Sequence, residues 1–245
     1  MKSQTTNNAI LSLIVLTILI YIFAFSKTMP PSPVCTNYVV NTYLYLAASI
    51  MILIIASNSP PKASVSMLNN VLLIFIFSLF LIILINLKSD FLTSHLDVAI
   101  SHLLWILFVL CIGYTFKISQ MTIEKNLFAA IATSVVFIVM SSLVYVLPEY
   151  FRKIDATLSK GLFVALLSII LIELMTLIPS FSQLRNSRLI SYVVIAIFSL
   201  YVSHDTTRMF ALSEKCKNMP NYPKASIGFF LDIVNLFSRF SRFSR

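Results

Sequence analysis

Three carboxylates in this chain stand where carboxylates are costly. Glu173, Asp205 and Asp232 fall inside or at the edge of long apolar stretches, and an ionisable group at membrane depth costs about 2.5–3.5 kcal/mol on insertion scales. Each therefore asks for a partner, a proton or a water-lined path. Asp232 sits in FFLDIVNLF, residues 229–237, and Gly228, Asp232, Asn235 and Arg239 follow one another at steps of four, three and four. On a helix that spacing makes one polar stripe on an otherwise apolar surface. Such a stripe faces protein or water rather than lipid. The competing reading is a helix lying on the membrane surface with Asp232 in water. Asp205 sits in YVSHDTTR, residues 201–208, at the C-terminal end of an apolar run, where a carboxylate opposes the helix dipole. Arg208 at i+3 is placed to neutralise it. Glu173 lies twelve residues into the run 161–179, about 18 Å along a helix axis and so near mid-membrane.

The chemistry open to such groups is proton and cation handling. Two carboxylates within a few ångströms of each other in a poorly hydrated site cannot both ionise cheaply, so they titrate as a pair. Sharing one proton, they make a short hydrogen bond that ties their helices together. Without that proton they form a hard, anionic oxygen site.

Other constellations are weaker. His95, Asp97 and His102 gather at the start of the run 96–116; zinc is one reading, and interfacial hydrogen bonding is the more ordinary one. Cys35, Cys111 and Cys216 are far apart with no C-x-x-C, which argues against a disulfide framework or a zinc site. With three glycines in the chain, a phosphate-cradling G-x-G-x-x-G loop is excluded. A pair of membrane aspartates can also be a proteolytic dyad, but intramembrane aspartyl proteases carry a G-x-G-D pattern, and here Phe230 and Leu231 precede Asp232. No enzyme and no resident cofactor are expected. The last nine residues repeat FSR three times, a phenylalanine stripe beside arginines that is expected at an anionic membrane surface.

The elements that must position these groups follow from composition. Of 245 residues, 58% are hydrophobic and 11% charged, with mean hydropathy +0.92. Soluble domains carry about 25% charged residues, so this chain lacks the polar surface of a cytosolic enzyme, a disordered regulator or a secreted scaffold. The net charge of +9 is spread between apolar runs, with no basic domain for nucleic acid. Apolar runs cover 9–26, 38–57, 67–87, 96–116, 127–147, 161–179 and 189–203. Each reads as a transmembrane helix, the first as an uncleaved anchor rather than a signal peptide. An eighth segment, 225–237, is too short to span alone and reads as re-entrant, central or interfacial. If all eight crossed, the basic residues would divide nine and nine; if the last re-enters, Arg239, Arg242 and Arg245 change sides and the division becomes six against twelve. The re-entrant arrangement restores a positive-inside bias.

The C-terminal half resembles the transmembrane Bax inhibitor motif family. The carrying residues are VSHD, ending the penultimate helix at Asp205, and the closing FFLDIVNLF with Asp232, which is similar to the family's LYLDIINLF. NTYLYL at 41–46 and SHLLWILF at 101–108 also look family-like. The resemblance implies an all-α integral membrane fold: six transmembrane helices around a central or re-entrant C-terminal helix. Residues 38–245 would form this domain, and residues 1–37 an added N-terminal transmembrane helix and linker. It implies a pH-sensitive calcium leak of endoplasmic reticulum or Golgi membranes that suppresses apoptosis, with Asp205 and Asp232 as sensor pair and weak calcium site. Calcium takes about six to eight oxygens, so in this reading two carboxylates fill only part of its shell, Asn235, backbone carbonyls and water supply the rest, and the ion is held weakly, as an ion path requires. Glu173, Asn235 and Arg208 are further candidates for the pathway or for a latch. In some members an arginine on the second family helix latches onto the pair; here the run 67–87 contains no basic residue, so Arg208 substitutes or the latch is absent. The partners implied are the lipid bilayer, calcium ions, and apoptosis regulators of the Bcl-2 type or other membrane proteins. A non-conducting protein that protects by binding such partners is the alternative. Heavy use of Ile, Phe, Lys, Asn and Ser fits an AT-rich genome, such as a large DNA virus carrying a host-like death suppressor.

Overall fold

The computed structural model describes residues 38–58, 77, 78, 80, 81, 94–117, 123–175, 187–214 and 220–243. Six helices run through them: α1 Tyr38–Asn58, α2 Ser94–Lys117, α3 Ile123–Val146, α4 Pro148–Met175, α5 Arg188–Glu214 and α6 Tyr222–Phe243. There is no strand among the described residues. By length and composition, four stretches can cross a membrane: Tyr38–Ser57, Phe128–Val146, Pro148–Met175 and Arg188–Glu214. α2 carries a shorter apolar stretch, Ala99–Tyr114. Large apolar side chains such as Ile138, Phe163, Leu171 and Tyr192 remain exposed, an outer surface suited to lipid rather than water. The expected anchor at 9–26 and most of the run 67–87 lie outside the described residues.

Three helices are longer than their apolar runs, for local reasons. Pro148, which lies between the apolar runs 127–147 and 161–179, is the first residue of α4. Proline is tolerated there because the first-turn N–H has no helical partner anyway, and Glu149 beside it favours the helix N-terminus. The stretch 148–160, outside both apolar runs, is therefore helix, and Asp155 with it. α5 continues past residue 203 to Glu214. α6 has 22 residues rather than 13. Asn221 caps it, accepting a 3.0 Å hydrogen bond from the Lys224 N–H, so that Pro223 falls harmlessly in the first turn. At about 33 Å, α6 is not too short to span. Its polar stripe is what separates it from the four candidate spans.

The chain divides into two compact units, Met1–Gln120 with Ser213–Ile227, and Met121–Leu212 with Gly228–Arg245. The first is organised by α1 against α2. Trp105 is fully buried and donates its indole N–H to Ser49 Oγ at 3.0 Å. Tyr45 meets the Trp105 ring edge-on and stacks on Tyr222 with ring centroids 5.8 Å apart. The Tyr45 hydroxyl and His102 Nε2 share a 2.6 Å hydrogen bond. Gly113 admits the close approach of α1, since a Cβ there would lie 2.6 Å from the Ala56 Cβ. Small residues let membrane helices pack this tightly. Trp105→Ala is expected to cost about 3–5 kcal/mol of stability, seen as a lower thermal unfolding midpoint in detergent. An unchanged midpoint would show that this cluster is not a core.

In the second unit, α6 is enclosed by α3, α4 and α5. Leu236 of α6 is fully buried in a cluster with Ile169 of α4 and Val194, Phe198 and Val202 of α5, and Phe137 and Met140 of α3 pack against it. Phe229 meets Phe137 edge-on at 5.7 Å. Ser141 of α3 and Thr206 of α5 share a 3.3 Å hydrogen bond, interhelical polar contact of the kind that holds membrane bundles.

Candidate functional site

α5 and α6 bring the two sequence-marked aspartates to one place. The carboxylate of Asp205 lies directly against Gly228, so close that a Cβ on residue 228 would overlap its Oδ2. Gly228 and Asp232 are one turn apart on the same stripe, and residues at that spacing are separated by about 5–6 Å. Asp205 thus sits one turn from Asp232, and their charges act on each other. Tyr201, one turn before Asp205, lies in the field of both carboxylates. Asp232 is 3% exposed, which rules out the surface-helix reading. Its Oδ2 has no hydrogen-bond partner among the described residues. A buried carboxylate oxygen in that state is costly unless it carries a proton or meets a cation or water.

The other candidates separate. Asn235 donates its amide to the Leu231 carbonyl of its own helix at 2.8 Å, so its N–H is turned back on α6. Arg208 is exposed, and its charge reaches Asp205. Glu173 of α4 pairs with Arg239 of α6. Glu173, expected near mid-membrane from the run 161–179, lies instead in the last turn of α4 and has its counter-ion at the far end of the Asp232 stripe. This corrects the expectation for the FSR repeat: through Phe243 it is the last part of α6, with Arg239 and Ser241 buried rather than at a membrane surface. Residues 244 and 245 lie outside the described residues.

A second acid–base pair was not anticipated. His204 Nδ1 lies 2.8 Å from Asp155 Oδ1, tying α5 to α4 beside Asp205. Its one sequence signal is spacing: Asp155 and Glu173 are 18 residues apart, five full turns, so they share a face of α4 about 27 Å long. Hydropathy alone does not extend the helix through 148–160, so that face is visible only in the structure. Among the described residues no three His, Cys, Asp or Glu side chains stand together as a metal-binding group. The side chains of His95 and Asp97 lie outside the described residues, while His102 hydrogen-bonds Tyr45.

The family model described as "Inhibitor of apoptosis-promoting Bax1" matches residues 35–244. The chain belongs to this family. The match spans all six helices, and with the apolar stretches above it marks a multi-pass membrane protein of an anti-apoptotic family. No curated protein and no solved structure matches. Within this Bax inhibitor family member, the aspartates singled out by spacing, Asp205 and Asp232, lie on α5 and α6, the last two helices of the matched region.

Proposed function

We propose that this Bax inhibitor family member is a pH-sensitive calcium leak of an intracellular membrane, endoplasmic reticulum or Golgi, through which it suppresses apoptosis. The observation that carries the reading is the buried Asp232 carboxylate with an unpartnered oxygen, one turn from the Asp205 carboxylate over Gly228. With one proton between them the pair is neutralised enough to stay buried, and it links α5 to α6. When that proton leaves, two anionic carboxylates face each other in a poorly hydrated site. Their repulsion loosens the link, and their oxygens become ligands for a hard cation. Calcium fills the rest of its shell from carbonyls and water, so it is held weakly and moves on. The enclosure of α6 by three helices within its unit supports the larger arrangement of six helices around a central C-terminal helix.

The test is reconstitution of the purified protein in calcium-loaded proteoliposomes, with efflux followed across the neutral pH range. Efflux above that of protein-free vesicles, and changing with pH, is the expected result. Efflux equal to protein-free vesicles, from a protein that still protects cells from death, would replace this reading with the alternative: a non-conducting protein acting through Bcl-2-type regulators or other membrane partners.

A further inference from the structure

The polar stripe on α6 does not end at Asp232. Arg239 stands seven residues further on, about 10 Å along the axis and within about 20° of the same face. Its side chain is 8% exposed, whereas that of its partner Glu173 is 39% exposed. That asymmetry matters. The guanidinium is enclosed on the stripe itself, and its counter-charge reaches it from α4. Arg242, in the last turn of the same helix, adds a second positive charge acting on Arg239. An ion moving along the stripe from Asp232 therefore meets the guanidinium.

We propose that Arg239 is the electrostatic barrier of the cation path, a guanidinium that opposes movement of a divalent ion along α6 from the aspartate pair, and that Glu173 sets the height of that barrier by partly cancelling it. The proposal rests on the calcium reading above. A fixed positive charge beside a cation path excludes cations, divalent ones most strongly. The aspartates attract the ion, and Arg239 repels it at the next step. Glu173 is then no pathway ligand: its carboxylate serves the arginine.

Three variants separate a barrier from a structural ion pair, all measured as calcium efflux from proteoliposomes, with thermal midpoints in parallel. Glu173→Gln removes the counter-charge from a half-exposed position and leaves the guanidinium, so efflux is expected to fall severalfold. Glu173→Gln with Arg239→Gln removes both charges, avoids stranding one of them in the interior, and is expected to raise efflux by about tenfold. The exchanged pair, Glu173→Arg with Arg239→Glu, keeps an ion pair but puts the anion on the stripe; efflux is expected to rise here too. A purely structural pair predicts wild-type efflux from the exchanged chain and no gain from the neutral one, and that result would overturn the proposal. So would efflux from Glu173→Gln at or above the wild type, a readout that survives if a double variant does not fold. Failure of the barrier is distinct from failure of the calcium reading: the first leaves wild-type efflux intact and insensitive to these changes, the second shows no wild-type efflux at all.

Discussion

Replacing Asp232 by asparagine is expected to bring calcium efflux down to that of protein-free vesicles. The substitution keeps the shape of the side chain, so a site buried to 3% exposure can still close around it. What it removes is the ability to become an anion and to share a proton with Asp205. An amide offers a calcium ion one neutral oxygen where the carboxylate offers two charged ones. The loss falls on the path rather than on the fold. The Asp232 Oδ2 makes no hydrogen bond among the described residues, so no such bond is broken there, and the thermal midpoint is expected to stay near that of the wild type or rise, because a buried ionisable group has been neutralised. Efflux measured beside that midpoint separates the two outcomes. Wild-type efflux from the variant would remove Asp232 from the path.

Gly228→Ala is expected to be nearly as damaging, by geometry alone. Alanine in a helix interior is ordinarily favoured over glycine by about 1 kcal/mol. Here the new methyl would overlap the Asp205 carboxylate, and overpacking of that kind typically costs about 1–3 kcal/mol. The clash outweighs the propensity, so the midpoint falls. Asp205 is pushed off the position from which it acts on Asp232, and both efflux and its pH response are lost. A second substitution makes the argument specific. Asp205→Ala in the same chain removes the obstructing carboxylate, so stability is expected to return, with the helix preference of alanine now unopposed, while efflux stays absent. Stability that does not recover would mean that something other than Asp205 fills the space above Gly228.

Much of this site is legible in the residues themselves. The steps from Gly228 through Asp232 and Asn235 to Arg239 define a stripe on any helix, and the structure buries Asp232 and Arg239 on it. The bounds of α1, α2 and α3 fall within a few residues of those of the apolar runs. α4, α5 and α6 are different. Arg152, Lys153, Asp155 and Lys160 precede the apolar part of α4, and His204 to Glu214 extend α5. Hydropathy treats such residues as loop, yet a helix continues through charge when the charge is exposed or paired, as His204 and Asp155 are. The partners were the harder part. Asp155 and His204 are 49 residues apart, and Glu173 and Arg239 lie on separate helices. No local spacing joins them, and the repetition of FSR drew Arg239 toward a surface role that its burial contradicts. Gly228 had a place on the stripe, but its purpose, a gap for the Asp205 carboxylate, exists only once α5 lies against α6.

The central claim is that Asp205 and Asp232 titrate as one unit and that their titration governs a calcium path. The pH dependence of calcium efflux in Asp205→Asn, set against the wild type in matched proteoliposomes, tests it most directly. With Asp205 unable to ionise or to take up a proton, Asp232 loses the charge that repels it and the partner that shares its proton, so efflux is expected to fall and what remains, through the one neutral oxygen of the asparagine, to be nearly independent of pH. A variant that keeps the wild-type pH profile, with the same midpoint and amplitude, would contradict the account.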